Sequence, residues 1–318
     1  MALEKLDAGV VAPSRATARA GAVNNGPMTT NQRTLAIDIG GTGIKAAVLK
    51  ADGAMDGERQ RVATTYPMPP DKMIKVIAGL AAKLPVYDRA SAGFPGVVRQ
   101  GRVVTAPHFV TRSGPGTEAV PALVAQWADF DLAGALAETL GVPVRVANDA
   151  DLQGSDVISG KGLELVVTLG TGVGTGLFYN GHLAPHLEIA HHPFEKDRTY
   201  NEAIGEAARK KIGGRRWNRR VKRALLTLHD LINYDHLYIG GGNSRRVKFK
   251  LGPDTTIVDN DAGLLGGIKL WETEELGSTR SATPPPARAR AAAKSAATSV
   301  KAAPARRPAV SPRRTPSG

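Results

Sequence analysis

Cysteine is absent from all 318 residues, which excludes disulfides and any thiolate-bound zinc and agrees with a reducing compartment. No apolar run approaches the length needed to span a bilayer, and residues 1–33 contain no apolar segment of signal-peptide length. A cytoplasmic protein with no membrane partner is the expectation. Acidic residues are also missing from one whole region. From Leu276 onward the chain carries nine Lys or Arg, no Asp or Glu, and no aromatics interleaved for base stacking. This Pro/Ala/Ser/Arg mixture has too little apolar surface to order itself, so 276–318 reads as a disordered basic tail and 1–33 as a disordered extension. The net charge of +13 therefore resides mainly in the tails, leaving a nearly neutral core and no expectation of a specific nucleic-acid partner.

What is present is an ordinary globular apolar fraction, 42%, on a chain long enough for two domains. Its most informative feature is a duplicated glycine-rich elbow. Asp38-Ile39-Gly40-Gly41-Thr42-Gly43 lies between apolar runs from Thr34 and to Leu49. About 130 residues later, Thr168-Leu169-Gly170-Thr171-Gly172-Val173-Gly174 lies between runs from Leu163 and to Tyr179. Each second strand meets a turn signal, Asp52-Gly53 or Asn180-Gly181. Glycine lets backbone N–H groups approach an anion closely, and the threonine hydroxyls add uncharged donors. Neither elbow is followed by Gly-Lys-Ser/Thr and neither opens a helix, so neither is a P-loop or a dinucleotide loop. Ordinary tight hairpins are the plainer alternative. The pairing, with Asp38 at a strand end and Lys45 on the next strand, favours a two-sided clamp on one polyphosphate chain.

Between and after the elbows, strands alternate with helices, an α/β pattern. Strands are expected at Gln60–Thr64, Arg89–Gly93, Val103–Ala106, Val144–Ala147 and His236–Ile239. Helices are expected at Pro70–Leu84, Leu132–Leu140, Tyr200–Ile212 and Trp217–Asn233, with a last one opening at Asp261. Phe109 to Trp127 gives no readable signal. The implied division is a small α/β domain over 34–131, onto which the last helix, 261–271, packs back, and a large α/β domain over 132–260.

Asn148-Asp149-Ala150 follows a strand directly and opens a helix. Either residue could simply cap that helix. Beside a phosphate clamp, however, Asp149 has the placement of a general base that takes the proton of an acceptor hydroxyl. A second cluster, Glu188, His191 and His192, offers the acceptors and donors that vicinal hydroxyls need. Metal binding is the weaker alternative there, because adjacent residues of an extended segment point in opposite directions. Glu202 is a further hydroxyl candidate. Nine Lys or Arg between Arg209 and Arg223 include Arg215, Arg216, Arg219, Arg220 and Arg223, which could gather a long polyanion or simply form a solvated helix face.

Taken in order, Ala36 to Lys45, Gly93-Phe94-Pro95-Gly96-Val97-Val98, Asn148-Asp149-Ala150, Thr168 to Gly172, Glu188 to His191 and Ile239-Gly240-Gly241-Gly242 resemble the ROK family of sugar kinases. Within that family the resemblance is to the members that use polyphosphate and also lack the cysteine-rich zinc motif. It runs from about Thr34 to Trp271. The resemblance implies an actin-like, ribonuclease H-like ATPase fold of two α/β domains with the active site in the cleft between them, and a homodimer. It implies phosphorylation of the 6-hydroxyl of glucose or a close relative from polyphosphate, ATP or both, with Mg²⁺ and without zinc. By the same resemblance Asp149 is the base, and Asn148, Glu188, His191 and Glu202 hold the sugar. Asp38 organises Mg²⁺, while Gly40, Gly41, Thr42, Lys45, Thr168, Gly170, Thr171 and Gly172 hold donor phosphates, and Gly240, Gly241 and Gly242 face an adenosine. His108, in Thr105-Ala106-Pro107-His108-Phe109, stands where family members commonly place a sugar-contacting Asn. A sugar-responsive transcriptional regulator, or a silent sugar- or polyphosphate-binding protein, is the alternative reading on the same fold.

Overall fold

The computed structural model describes residues 32–114, 117–258, 262–272 and 282. The expected disordered segments, 1–33 and 276–318, lie almost wholly outside that set.

Two five-stranded sheets share one plan. The first runs Met55–Ala63, Gly43–Leu49, Thr34–Ile39, Arg89–Phe94, Val144–Asn148, antiparallel across its first three strands and parallel thereafter. The second runs His182–Leu183, Val173–Tyr179, Leu163–Leu169, His236–Gly240, Thr255–Ile257, again antiparallel and then parallel. Central strands covered on both faces are mainly apolar, as Thr34–Ile39 and Leu163–Leu169 are apart from Thr34, Asp38, Glu164 and Thr168, with most residues of each buried. Each elbow therefore closes a hairpin at the same corner of its sheet.

Helix Pro70–Ala81 begins on a proline whose missing N–H costs nothing at that position, and it buries Met73, Ile77 and Leu80 at helical spacing against the first sheet. The segment from Phe109 contains one helix, Pro121–Trp127, whose fully buried Trp127 donates its indole N–H to the Met68 carbonyl at 3.0 Å. In the second core Trp217 plays the same part, donating to the Ile204 carbonyl at 2.7 Å. The basic helix begins earlier than expected, covering Gly214–Ile232, and the expected Tyr200–Ile212 helix is two, Tyr200–Ile204 and Glu206–Ile212, broken at Gly205, whose backbone is extended.

Helix Leu132–Leu140 and strand Val144–Asn148, which follow the expected division at 131/132, pack with the first sheet. The strand pairs in parallel with Arg89–Phe94, and Leu132, Leu136, Val144 and Val146 share one core with Leu35 and Ile37. The last helix, Ala262–Lys269, also returns to the first sheet. Ser91 donates its hydroxyl to the Gly267 carbonyl at 2.5 Å and accepts the Trp271 indole N–H at 2.8 Å, while the Arg89 and Arg145 guanidinium groups lie over the Trp271 ring.

Candidate active site

Both elbows open into one cavity of about 420 Å³. Its wall includes Asp38, Gly40, Gly41, Thr42 and Lys45 from the first elbow and Thr168, Gly170, Thr171 and Gly172 from the second. Asn148, Asp149, His108, Glu188 and His191 complete the set of predicted residues found there, together with Gly241 and Gly242.

The first elbow spans Gly40–Gly43, closed by the Gly40 N–H on the Gly43 carbonyl at 3.0 Å. It is held from behind by the Thr64 hydroxyl on the Gly40 carbonyl and the Tyr66 hydroxyl on the Gly41 carbonyl, at 2.7 and 2.6 Å. Asp38 and Lys45 are directly opposed across the hairpin and form an ion pair at 2.7 Å. In the second elbow the Gly170 N–H reaches the Gly172 carbonyl at 2.9 Å, and the Asn201 side chain accepts the Val173 N–H at 2.7 Å. Gly241 lies beneath it at φ +82°, where a Cβ would sit 2.5 Å from the Leu169 carbonyl oxygen, so only glycine fits.

Asn148 and Asp149 sit where the first sheet delivers its last strand into helix Asp149–Val157. Asn148 is the cap of that helix. Its side chain accepts the Ala150 N–H at 2.8 Å and donates to the Gly96 carbonyl at 3.0 Å, which fixes the Phe94-Pro95-Gly96 turn against the cavity. Capping by Asn148 leaves Asp149 half-buried and facing the cavity. Burial, and then the nearby Asp38 carboxylate, push the Asp149 carboxyl up to about 7, against the pull of the Ala150 N–H. A carboxylate tuned near neutrality can accept a proton and give it up again.

Glu188 is held low despite burial by His186 and by the Ala190 N–H, which reaches its Oε1 at 2.8 Å. His108 is pushed down from the ordinary imidazole range by burial and by His191, so it is neutral at pH 7, and its Nδ1 is buried without a hydrogen-bond partner.

Some predicted residues lie elsewhere. Glu202 is exposed and does not line the cavity. Its carboxylate accepts the Thr199 N–H at 2.9 Å and closes a capping box at the start of Tyr200–Ile204, a role that accounts for Glu at that position. The neighbouring Asn201 lines the cavity instead. Gly240 is buried as the last strand residue and does not reach the cavity, unlike Gly241 and Gly242. The basic helix is partly neutralised: Arg220 and Arg223 both pair with Glu195, from the Pro193–Glu195 strand, so those two charges have a partner within the chain. Arg215 is the patch residue that lines a second cavity, of about 820 Å³, with Arg209, Arg246, Lys248, Trp217 and Phe249; Gly242 lines both cavities. Arg61, Gln153, Asn201 and His186 also reach the first cavity and were not anticipated. For His186 a signal existed, since residues 186 and 188 of an extended segment face the same way.

Asp38 beside the donor elbows has the chemistry expected of a Mg²⁺ site, because that ion takes one or two carboxylates and otherwise waters and substrate phosphates. No helix among the described residues is long and apolar enough to cross a membrane.

Comparison with known proteins places the chain among sugar kinases. Residues 34–191 match the model of the ROK family. The chain is 31% identical over 226 residues, 69% of its length and 80% of the relative's, to a polyphosphate glucokinase of Mycobacterium tuberculosis. Among solved structures, an inorganic polyphosphate/ATP-glucomannokinase from Arthrobacter sp. strain KM superposes with a TM-score of 0.63 at 28% identity, over 76% of this chain and 99% of that one. A glucokinase from Streptomyces griseus, solved with glucose and AMPPNP, superposes with a TM-score of 0.59 at 18% identity, over 75% and 98%. The two-sheet architecture is accordingly the actin-like ATPase fold.

Proposed function

The chain belongs to the ROK family, and from that membership we propose a hexose kinase that moves a phosphoryl group from inorganic polyphosphate, ATP or both to the 6-hydroxyl of glucose or a close relative. The observation that carries the reading is the convergence of two glycine elbows and Asp149 on one cavity. Backbone N–H groups and the Thr42 and Thr171 hydroxyls bind the donor phosphates from opposite sides, and Lys45 adds charge. Asn148, Glu188, His191 and His108 hold the sugar. Asp149 takes the proton of the attacking hydroxyl as the oxygen–phosphorus bond forms and the bond to the departing phosphate breaks. Asp38 would help hold Mg²⁺, which would supply charge neutralisation on the donor. A cytoplasmic homodimer is part of the same reading, supported by the absence of cysteine and by the family resemblance.

Polyphosphate is favoured as donor by the second cavity. Arg215, Arg246 and Lys248 line it beside Arg209, whose charge is already paired with Glu206 at 2.7 Å, and the basic helix begins there with no side-chain cap on its first N–H groups. Because Gly242 borders both cavities, a phosphate chain longer than the first can hold meets positive charge as it leaves. No observation among the described residues favours a regulator. The test is a matrix of donors against sugars at fixed Mg²⁺, reading sugar 6-phosphate. Product from polyphosphate and glucose is expected. Product from ATP alone removes the polyphosphate assignment, and no product from any pair removes the kinase.

A further inference from the structure

Behind Glu188 lies a pair of buried charged groups that the phosphoryl transfer above leaves unused. Asp151 projects from the first turn of helix Asp149–Val157, and His186 follows the His182–Leu183 strand. His186 Nδ1 lies 3.0 Å from Asp151 Oδ2, with both side chains only 2% exposed. The opposite ring edge faces a second acid: Nε2 is 3.7 Å from Glu188 Oε2. That distance exceeds hydrogen-bond length, and Nε2 is buried without a hydrogen-bond partner.

The ring chemistry limits what this arrangement can be. Burial pushes the Asp151 carboxyl up and the ring pulls against that; with Asp151 ionised, the proton between them sits on Nδ1. In a neutral imidazole Nε2 would then be a bare lone pair directed at another carboxylate, a repulsive contact in a buried setting. Only the imidazolium presents an N–H to each acid. The other Asp151 oxygen, Oδ1, is also buried without a partner, so this carboxylate has the ring as its one compensating group among the described residues.

We propose that Asp151 and His186 are positioning residues for the acceptor site: Asp151 fixes the ring and its proton, and the Nε2–H holds Glu188 from behind so that its carboxylate faces the sugar as an ionised acceptor. This rests on the assignment of Glu188 to the sugar. Glu188 is then gripped at both oxygens, by the Ala190 N–H at Oε1 and by the imidazolium at Oε2. A movement of under about 1 Å would turn the second contact into a charge-assisted hydrogen bond. The titratable groups around the ring are Asp149 and Asp151 on the helix and Glu188 on its own loop. His191 and His108 stand close enough to Glu188 to interact with its charge. Burial opposes a charge on His186, yet its links to Asp151 and Glu188 outweigh that and hold the ring at about 10. Among the described residues no three His, Asp or Glu side chains converge as metal ligands, so a metal does not explain the pair.

Two measurements test this. In the wild-type protein labelled with ¹⁵N-histidine, one imidazole is expected to stay doubly protonated from pH 6 to 8.5 and to be lost from the spectrum of His186→Gln. Asp151→Asn, isosteric but uncharged, should release the ring to titrate near neutrality. Its KM for the hexose should then rise about tenfold at pH 8, with kcat within about threefold of wild type, and return towards wild type at pH 6, where the ring protonates unaided. A merely structural role would give a penalty independent of pH. Every histidine titrating below pH 8 in the wild type, or an Asp151→Asn penalty that does not change between pH 6 and 8, overturns the relay while leaving the kinase intact. If the active wild-type donor assay shows that Glu188→Gln leaves KM unchanged, the sugar assignment itself falls, and the relay with it.

Discussion

The two elbows occupy the same corner of the same sheet plan, yet they carry different chemistry. At the strand end before the first stands Asp38, opposite Lys45 across the hairpin; at the corresponding end before the second stands Thr168, opposite Gly174. In the parallel direction Asp38 lies beside Gly93 and Thr168 beside Gly240, so the positions match from sheet to sheet. A polyanion held between two fully charged loops would be slow to leave, and between two uncharged loops it would lack charge compensation. In the proposed clamp the ionised groups are therefore confined to one elbow, Asp38 and Lys45, while the other contributes uncharged donors.

The sharpest way to break this comparison is Asp149→Asn, which keeps the shape of the site and removes the base. Turnover should fall by about 10³-fold in a coupled assay, with hexose binding by calorimetry changed only slightly. Next, Asp38→Asn should lower kcat by about 10²-fold, because it removes the carboxylate beside the donor. The same variant carries a pH signature. In the wild type, kcat should rise with pH through about 7 as Asp149 ionises, and be lost below it. Since the Asp38 charge helps hold the Asp149 carboxyl up, Asp38→Asn should move that midpoint down, and Thr168→Val should leave it unchanged. The smallest effect belongs to the neutral side: Thr168→Val and Thr171→Ala should each cost less than about tenfold in kcat/KM for the donor, one hydroxyl contact apiece. Equal losses from Asp38→Asn and Thr168→Val would show that the elbows are equivalent after all.

Much of this was legible in the sequence because the signals were local. Glycine at Gly40, Gly41, Gly170 and Gly172, strand patterns either side, and an Asn-Asp at a strand end each report their own backbone. What escaped is set by pairing at a distance. Nothing in Val144–Asn148 announces which sheet it joins; its pairing with Arg89–Phe94 is decided only in the fold. Glu202 has a sugar-binding composition and a capping geometry, and the Thr199 three residues earlier was the readable clue. The arginines of the basic helix could not reveal Glu195, which lies more than twenty residues away in sequence and meets Arg220 and Arg223 only in the fold. His186 and Asp151, 35 residues apart, met the same obstacle.

The packing of the last helix on the one that starts at Asp149 has a mechanical corollary. Their backbones approach so closely that a Cβ on Gly266 would sit 1.7 Å from the Leu152 carbonyl oxygen, and the same segment is tied to Ser91 of the first sheet. Any side chain at Gly266 would have to wedge apart the returning helix and the one that carries residue 149, so the backbone at that crossing leaves no slack for a larger residue.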